Sequence, residues 1–367
     1  MPVAATFDDA GLAEVLTGWL RSVLSAPSLE VVRVSRPSAG ASNETAVLEV
    51  VPARESRSTE KMVCRIQPDG HQLFLRPDAI QEARVISAVA DGSAVPVPRV
   101  IAVEPTGDVL GAPLFVMSYV DGRVLPDIPS CHRQGWLLDC PPEQRATLWD
   151  NGLREMVRIA GIRPDGLDPL PDAGLASLVA NTRRWFDWAR GERELDVLSR
   201  AMAYLEQRQP DSVDGVLNWG DARVGNIIFG ESNEVAAVID WEMASIGPAE
   251  VDLGWWLMMD EFYSTGLGVE PLPGVPDEQS QVHRWEELIG RPARNLEYFK
   301  ILAALRFAVI CARTFDRFSE KGLLPPDSAI YTTNPVGLML YRWLGESVPE
   351  LAPEYAAILN AYSAAEA

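Results

Sequence analysis

Two short stretches of this 367-residue chain carry side chains whose types and spacing suit group transfer. The first is Gly220-Asp221-Ala222-Arg223-Val224-Gly225-Asn226. The second is Ile239-Asp240-Trp241-Glu242, at the end of the apolar run VAAVID. A carboxylate such as Asp221 accepts a hydrogen bond from an attacking hydroxyl. Asn226, five residues on, offers a metal a neutral oxygen, and the base Arg223 between them meets a phosphate oxygen. Asp240 adds a hard oxygen of the kind Mg²⁺ prefers. The set suits phosphoryl transfer. Either stretch alone is a weak signal, because Asp after a strand is a common turn residue. The pair, 19 residues apart with a hairpin pattern between, is a much stronger one.

The elements that must position these residues follow from periodicity. Residues 8–24 read as an amphipathic helix, with Leu12, Val15, Leu16, Trp19, Leu20, Val23 and Leu24 on one stripe and Asp8 or Asp9 as its cap. β-like runs follow at 29–36, 45–52 and 61–68, then a helical pattern at 77–90, then β-like runs at 98–105 and 113–120. This predicts a sheet-rich lobe over 1–120, with about five strands and one inserted helix. After Asp121-Gly122 the pattern turns helical, with short β-like runs returning around 214–218, 226–229 and 235–240. Pro- and Gly-rich segments at 264–276 and 322–336 read as loops. The fold class expected is α+β: a β-rich lobe, a connector, and a larger helical lobe over 121–367, with a ligand cleft between the lobes.

Composition narrows the function. A net charge of −20 argues against non-specific binding to nucleic acid or to an anionic membrane. The acidic excess lies mainly after residue 120, where it can attract a cationic substrate or simply solubilise the surface. No run reaches the ~18 apolar residues of a membrane span, and the N-terminal stretch lacks the pattern of a signal peptide; a cytoplasmic protein is expected. Cys64, Cys131, Cys140 and Cys311 form no CxxC pair, which points to ordinary reduced thiols rather than a metal site. No GxxxxGK or GxSxG motif is present, against P-loop and α/β-hydrolase readings.

Residues 216–242 resemble the catalytic and metal-binding segments of the aminoglycoside phosphotransferase-like family, relatives of the protein kinases, which serve as the general template for this chemistry. The resemblance runs in order over roughly residues 35–260. It implies a two-lobed, protein-kinase-like fold and an ATP- and Mg²⁺-dependent transfer to a small-molecule hydroxyl. It makes Asp221 the catalytic-loop Asp and Asn226 and Asp240 the metal ligands. Arg223 stands where kinases carry a Lys that reaches the transferred phosphate. Within 244–256, Asp252 takes the position of a structural Asp. In the N-terminal half, 38–50 takes the place of the phosphate-covering loop, with Ser42 and Asn43 as contacts. Arg65 stands where kinases have a strand Lys, and Glu82 is its acidic partner. Residues 115–122 resemble the strand and connector that receive adenine: Met117 lines the pocket, and the Ser118 carbonyl and the Val120 N–H face the purine edge.

The chain departs from the family pattern at three places. Trp219 stands where the family has His, two residues before the catalytic Asp; an indole fills an apolar site and offers one N–H. Arg65 replaces Lys, keeping a planar, permanently charged group. Gly247-Pro248-Ala249 replaces Gly-Asp-Pro. The expectation is that Trp219 takes over a structural support and leaves Asp221 competent; the alternative is a nucleotide-binding pseudokinase. The acceptor stays open between an aminoglycoside-type compound, another small alcohol and a hydroxyacyl-CoA, the last because the GDxRxGN…VIDWE style resembles kinase-like domains fused to acyl-CoA dehydrogenases. Asp260, Glu261, Asp277, Glu278, Glu286 and Glu287 are candidate carboxylates for a cationic acceptor, and tryptophans such as Trp255 and Trp256 for an apolar pocket wall.

Overall fold

The first helix, α1 (Asp9–Val23), starts where the sequence places it, because the Asp8 carboxylate accepts the Gly11 N–H at 2.8 Å. The computed structural model describes residues 7–36, 44–52, 58–68, 72–162, 170, 173–211 and 215–357. They divide into two compact units: the described residues up to Asp91 with Val97–Asp121, and Gly92–Pro96 with Gly122 onward.

The first unit is an antiparallel sheet with two helices. Strands β1 (Glu30–Ser35), β2 (Glu44–Val51), β3 (Glu60–Ile66), β4 (Val100–Glu104) and β5 (Leu114–Ser118) lie in the order β1-β2-β3-β5-β4. Helix α2 (Ala79–Gly92) stands between β3 and β4 in the chain. Leu12, Leu16 and Leu20 of α1 are fully buried in one core with Leu48, Val50, Cys64 and Leu114 of the sheet. Alternation along β3 sends Met62, Cys64 and Ile66 into that core and turns Arg65 to the other face. Ser42 and Asn43 lie outside the described residues.

The second unit opens with α3 (Pro142–Ala160), α4 (Leu175–Arg190) and α5 (Asp196–Gln207). Four short strands follow: β6 (Val216–Asn218), β7 (Ile227–Phe229), β8 (Val235–Val238) and β9 (Ser245–Gly247). β7 pairs with β8, and β6 pairs with β9, both antiparallel. The inner hairpin is therefore nested inside the outer pair. Both crossings from outer to inner ladder, 219–226 and 239–244, come out side by side, which is the geometric reason that two motifs 19 residues apart meet. The sequence reading missed β9: three residues, Ser-Ile-Gly, are too few for periodicity to register.

Helices α6 (Glu250–Tyr263), α7 (Glu278–Ile289), α8 (Leu296–Glu320) and α9 (Pro335–Trp343) complete the unit. From Glu250 to Met259 every residue of α6 is buried, so it runs through the interior of this unit rather than over it. Its closest neighbour is α8. A Cβ on Gly254 would stand 2.6 Å from the Phe299 carbonyl carbon, so glycine sets how near the two helices approach. No helix among the described residues is long and apolar enough to cross a membrane. Gly254→Val should force α6 off α8 and cost roughly 2–3 kcal/mol, read as a lower urea midpoint with an unchanged slope; a midpoint equal to wild type would refute the close approach.

Candidate active site

The site is assembled on α6. Asp252, in its first turn and buried, accepts the backbone N–H groups of Trp219 at 2.7 Å and Gly220 at 2.8 Å. This clamps the entrance of the 219–226 loop to the helix. Gly220 has φ +93°, and a side chain there would run into the Met243 carbonyl of the other loop. One turn further along α6, on the same face, Trp255 donates its Nε1–H to Asp221 Oδ1 at 2.7 Å. Asp221 Oδ2 accepts the Asn226 amide at 2.7 Å and Arg223 Nε at 3.3 Å. Both oxygens of Asp221 are thus oriented by named donors.

The two loops are tied together at three points. The Ile239 N–H donates to the Asn226 carbonyl at 3.0 Å, and Trp219 Nε1 donates to the Ile239 carbonyl at 2.8 Å. Trp219 is fully buried and lies against Trp241, ring centres 6.2 Å apart. The Trp219 indole therefore links the 219–226 loop to the backbone just before Asp240. Asp240 itself sits at φ +66°, a left-handed conformation that costs a non-glycine residue energy and that concentrates at functional sites. Asn226 turns its amide nitrogen onto Asp221, leaving its Oδ1 as the oxygen available to a cation. Asn226 and Asp240 are two hard oxygen donors on loops locked to each other, which fits Mg²⁺ completed by phosphates. Among the described residues no cluster of three His, Cys, Asp or Glu side chains forms a metal cage of its own.

Burial dominates the electrostatics. It pushes the Asp221 carboxyl up, with Arg223 pulling it back and the nearby Asp240 charge adding to the rise. Burial alone would lower Arg223, but Asp127 and Asp221 beside it hold it well above the ordinary range, so it stays charged. Burial lifts Asp252 to about 6 against its two backbone donors. Burial also lifts Asp260 to about 6, opposed by hydrogen bonds from Gln281 and Trp149.

Beside Arg223 a pocket opens within the same unit, about 390 Å³ with its mouth included. Its polar walls are Asp127, Arg223, Asp260, Tyr263 and His132; Trp149, Trp256, Met259 and Leu125 supply the apolar ones. Asp260 accepts Trp149 Nε1 and Gln281 Nε2, both at 2.9 Å. Burial and Arg145 lower His132, keeping it neutral. Of the carboxylates marked as candidates for a cationic acceptor, Asp260 lines this pocket. Glu261 pairs with Arg342, Asp277 caps α7, Glu278 holds Lys300, Glu286 accepts the Ala293 N–H and Glu287 holds Arg284. None of these five lines the pocket.

In the first unit Arg65 and Glu82 do meet. Arg65 Nη2 lies 3.1 and 3.3 Å from the two Glu82 oxygens, with Glu82 almost fully buried. Met117 is buried in β5, and Ser118 closes the strand end, its Oγ accepting the Arg99 N–H at 2.9 Å; Val120 follows two residues on. Sequence reasoning missed Trp255 and Asp127 as partners of Asp221 and Arg223. The i, i+3 spacing of Asp252 and Trp255 on one helix face was a usable signal for the first. Asp127, 96 residues from Arg223, gave none.

The profile of the Phosphotransferase enzyme family matches residues 33–289. The chain belongs to that family. Curated relatives include a probable acyl-CoA dehydrogenase, IBR3, of Arabidopsis thaliana, 24% identical over 78% of this chain and 36% of that protein. Acyl-CoA dehydrogenase family member 11 of Gallus gallus is 26% identical over 85% of this chain and 40% of that protein. The phosphotransferase chain thus spans two fifths or less of these relatives. Among solved structures, a Ralstonia eutropha protein assigned to the aminoglycoside phosphotransferases superposes with TM-score 0.65 at 21% identity, over 90% of this chain and 98% of that one. Choline kinase LicA of Streptococcus pneumoniae gives TM-score 0.55 at 14% identity, over 91% and 98%. An APH(4)-Ia variant in complex with ADP and hygromycin B gives 0.52 at 14%, over 84% and 94%. The fold is kinase-like: an N-terminal antiparallel sheet followed by a mainly helical remainder.

Two outcomes follow for this site. Trp219→Phe keeps the ring but strands the Ile239 carbonyl, and should cost about 2–4 kcal/mol in chemical denaturation; a loss under about 0.5 kcal/mol would show that the indole N–H carries no support. Asp260→Asn carries the pH test. The folded pKa of Asp260 lies above that of the unfolded chain, so ionising it weakens the fold as pH rises from about 4 to about 6. Relative to wild type, Asp260→Asn should gain on the order of 2–3 kcal/mol between pH 4 and pH 7. Its constant cost, an amide set against two N–H donors, cancels in that difference. A pH-independent gap would contradict the assignment.

Proposed function

We propose that this phosphotransferase is a Mg·ATP-dependent small-molecule kinase that transfers a phosphoryl group to an alcohol. The observation that carries the reading is the Asp221 carboxylate, buried and oriented on both oxygens by Trp255, Asn226 and Arg223, beside the Asn226–Asp240 oxygen pair. Asp221 accepts the hydrogen bond of the acceptor hydroxyl and aligns its lone pair; Arg223 stays charged to stabilise the transferred group. Asn226 and Asp240 would hold Mg²⁺, which when bound neutralises charge on the phosphates. Arg65 with Glu82 would hold a phosphate in the first unit, and Met117, Ser118 and Val120 would receive the base. ATP as donor is supported by solved relatives that hold ADP or AMP-PNP.

The acceptor enters the pocket beside Arg223. Its walls mix indole and thioether surface with carboxylates. This supports a small alcohol with an apolar body over a fully polar oligosaccharide. The relatives named as acyl-CoA dehydrogenase family members give specific support to one such class, a hydroxyacyl-CoA. A Mg·ATP screen across aminoglycosides, macrolides, amino alcohols and hydroxyacyl-CoAs decides among them. Asp221→Asn should abolish transfer to whichever acceptor the screen selects, with the ATP-induced thermal shift retained. Turnover undiminished in that variant would sink the assignment.

A further inference from the structure

Arg223 is held from two sides. Its Nε meets Asp221 Oδ2 at 3.3 Å, and its Nη1 meets Asp127 Oδ1 at 2.5 Å. Among the described residues Nη2 has no hydrogen-bond partner. A guanidinium is planar with its donors in a fixed fork, so pinning two nitrogens fixes the direction of the third. The room for this arrangement comes from Gly225: a Cβ there would stand 2.5 Å from Arg223 Nη1 and 2.7 Å from Asp127 Oδ1.

Asp127 is itself fixed. Upstream, Arg123 exchanges two backbone hydrogen bonds with Phe229 of β7, at 2.8 and 2.9 Å, and the Val124 carbonyl accepts Trp136 Nε1 at 2.9 Å. Downstream, Ser130 Oγ donates to the Tyr263 carbonyl at the end of α6, at 2.5 Å. The segment carrying Asp127 is therefore tied to the strand that leaves the catalytic loop and to the helix that supports it. The Arg223 side chain is 14% exposed and the Asp127 side chain 38%, so the carboxylate keeps the guanidinium charged from a position that still reaches water. The ties on both sides of Asp127 fix where that carboxylate sits, and with it the direction of the guanidinium.

We infer that Asp127 is a positioning residue: its carboxylate sets the pose of the Arg223 guanidinium, so that Nε stays on Asp221 while Nη2 is presented to the transferred phosphoryl group. The inference rests on the phosphotransferase reading of the site. A carboxylate remote in sequence, on the wall of the pocket beside Arg223, thereby governs a catalytic group.

The test is a double-mutant cycle with Mg·ATP as probe and water as acceptor, followed by ADP release. Asp127→Asn should lower kcat roughly 10- to 100-fold, with KM for ATP within about threefold of wild type. Asp127→Glu should recover most of the loss. In an Arg223→Gln background, Asp127→Asn should cost nothing further, because its effect passes through Arg223. Wild-type turnover in Asp127→Asn, an equal loss in the Arg223→Gln background, or no recovery with Asp127→Glu overturns the inference. Asp221→Asn separates the two levels. If it retains ADP release, or if the wild type releases none, the reading of the site falls and takes this inference with it. If it abolishes release while the cycle is additive, only the role of Asp127 falls.

Discussion

The interaction on which the rest depends is the pair of hydrogen bonds from the Trp219 and Gly220 backbone to the Asp252 carboxylate. It fastens an irregular loop to the most buried helix among the described residues. A loop alone does not hold a carboxylate to within the tolerance that in-line transfer requires. Here the loop borrows the rigidity of α6. The same helix then reaches Asp221 directly through Trp255, so this carboxylate is fixed both through the backbone that carries it and at its own oxygen. The burial that makes this possible also raises the Asp252 and Asp221 carboxyls, a cost carried by the site for its order.

Most of the architecture was legible because it rests on short-range pattern. The α1 stripe, the alternation of the five strands and the cap at Asp8 follow from local physics, and the observed bounds lie within a few residues of those read from the sequence. The meeting of Asp221, Asn226 and Asp240 was legible from motif spacing, and the nested ladders supply its physical cause. Two kinds of feature were not legible. Very short strands such as β9 draw their stability from a partner distant in the chain, not from their own residues. Partners such as Asp127 depend on how separate segments are tied together, which no local pattern encodes.

Trp219 illustrates how a departure from a motif is better judged by contacts than by identity. An indole differs from an imidazole in size and in its acid–base chemistry. What the fold asks of this position is a buried ring that donates one hydrogen bond to the neighbouring loop, and the indole does so at Ile239. By contrast Arg65 in place of Lys brings a planar fork that engages both oxygens of Glu82.

The interlock of Gly220 with the Met243 carbonyl bears on how this chain can change over time. The two loops are fitted backbone to backbone, so almost any side chain at that point would separate them. The pocket walls at Leu125, His132 and Met259 belong to other segments and lie outside that fit. Substitution at those positions leaves the backbone-to-backbone fit of the two loops intact, whereas substitution at Gly220 does not.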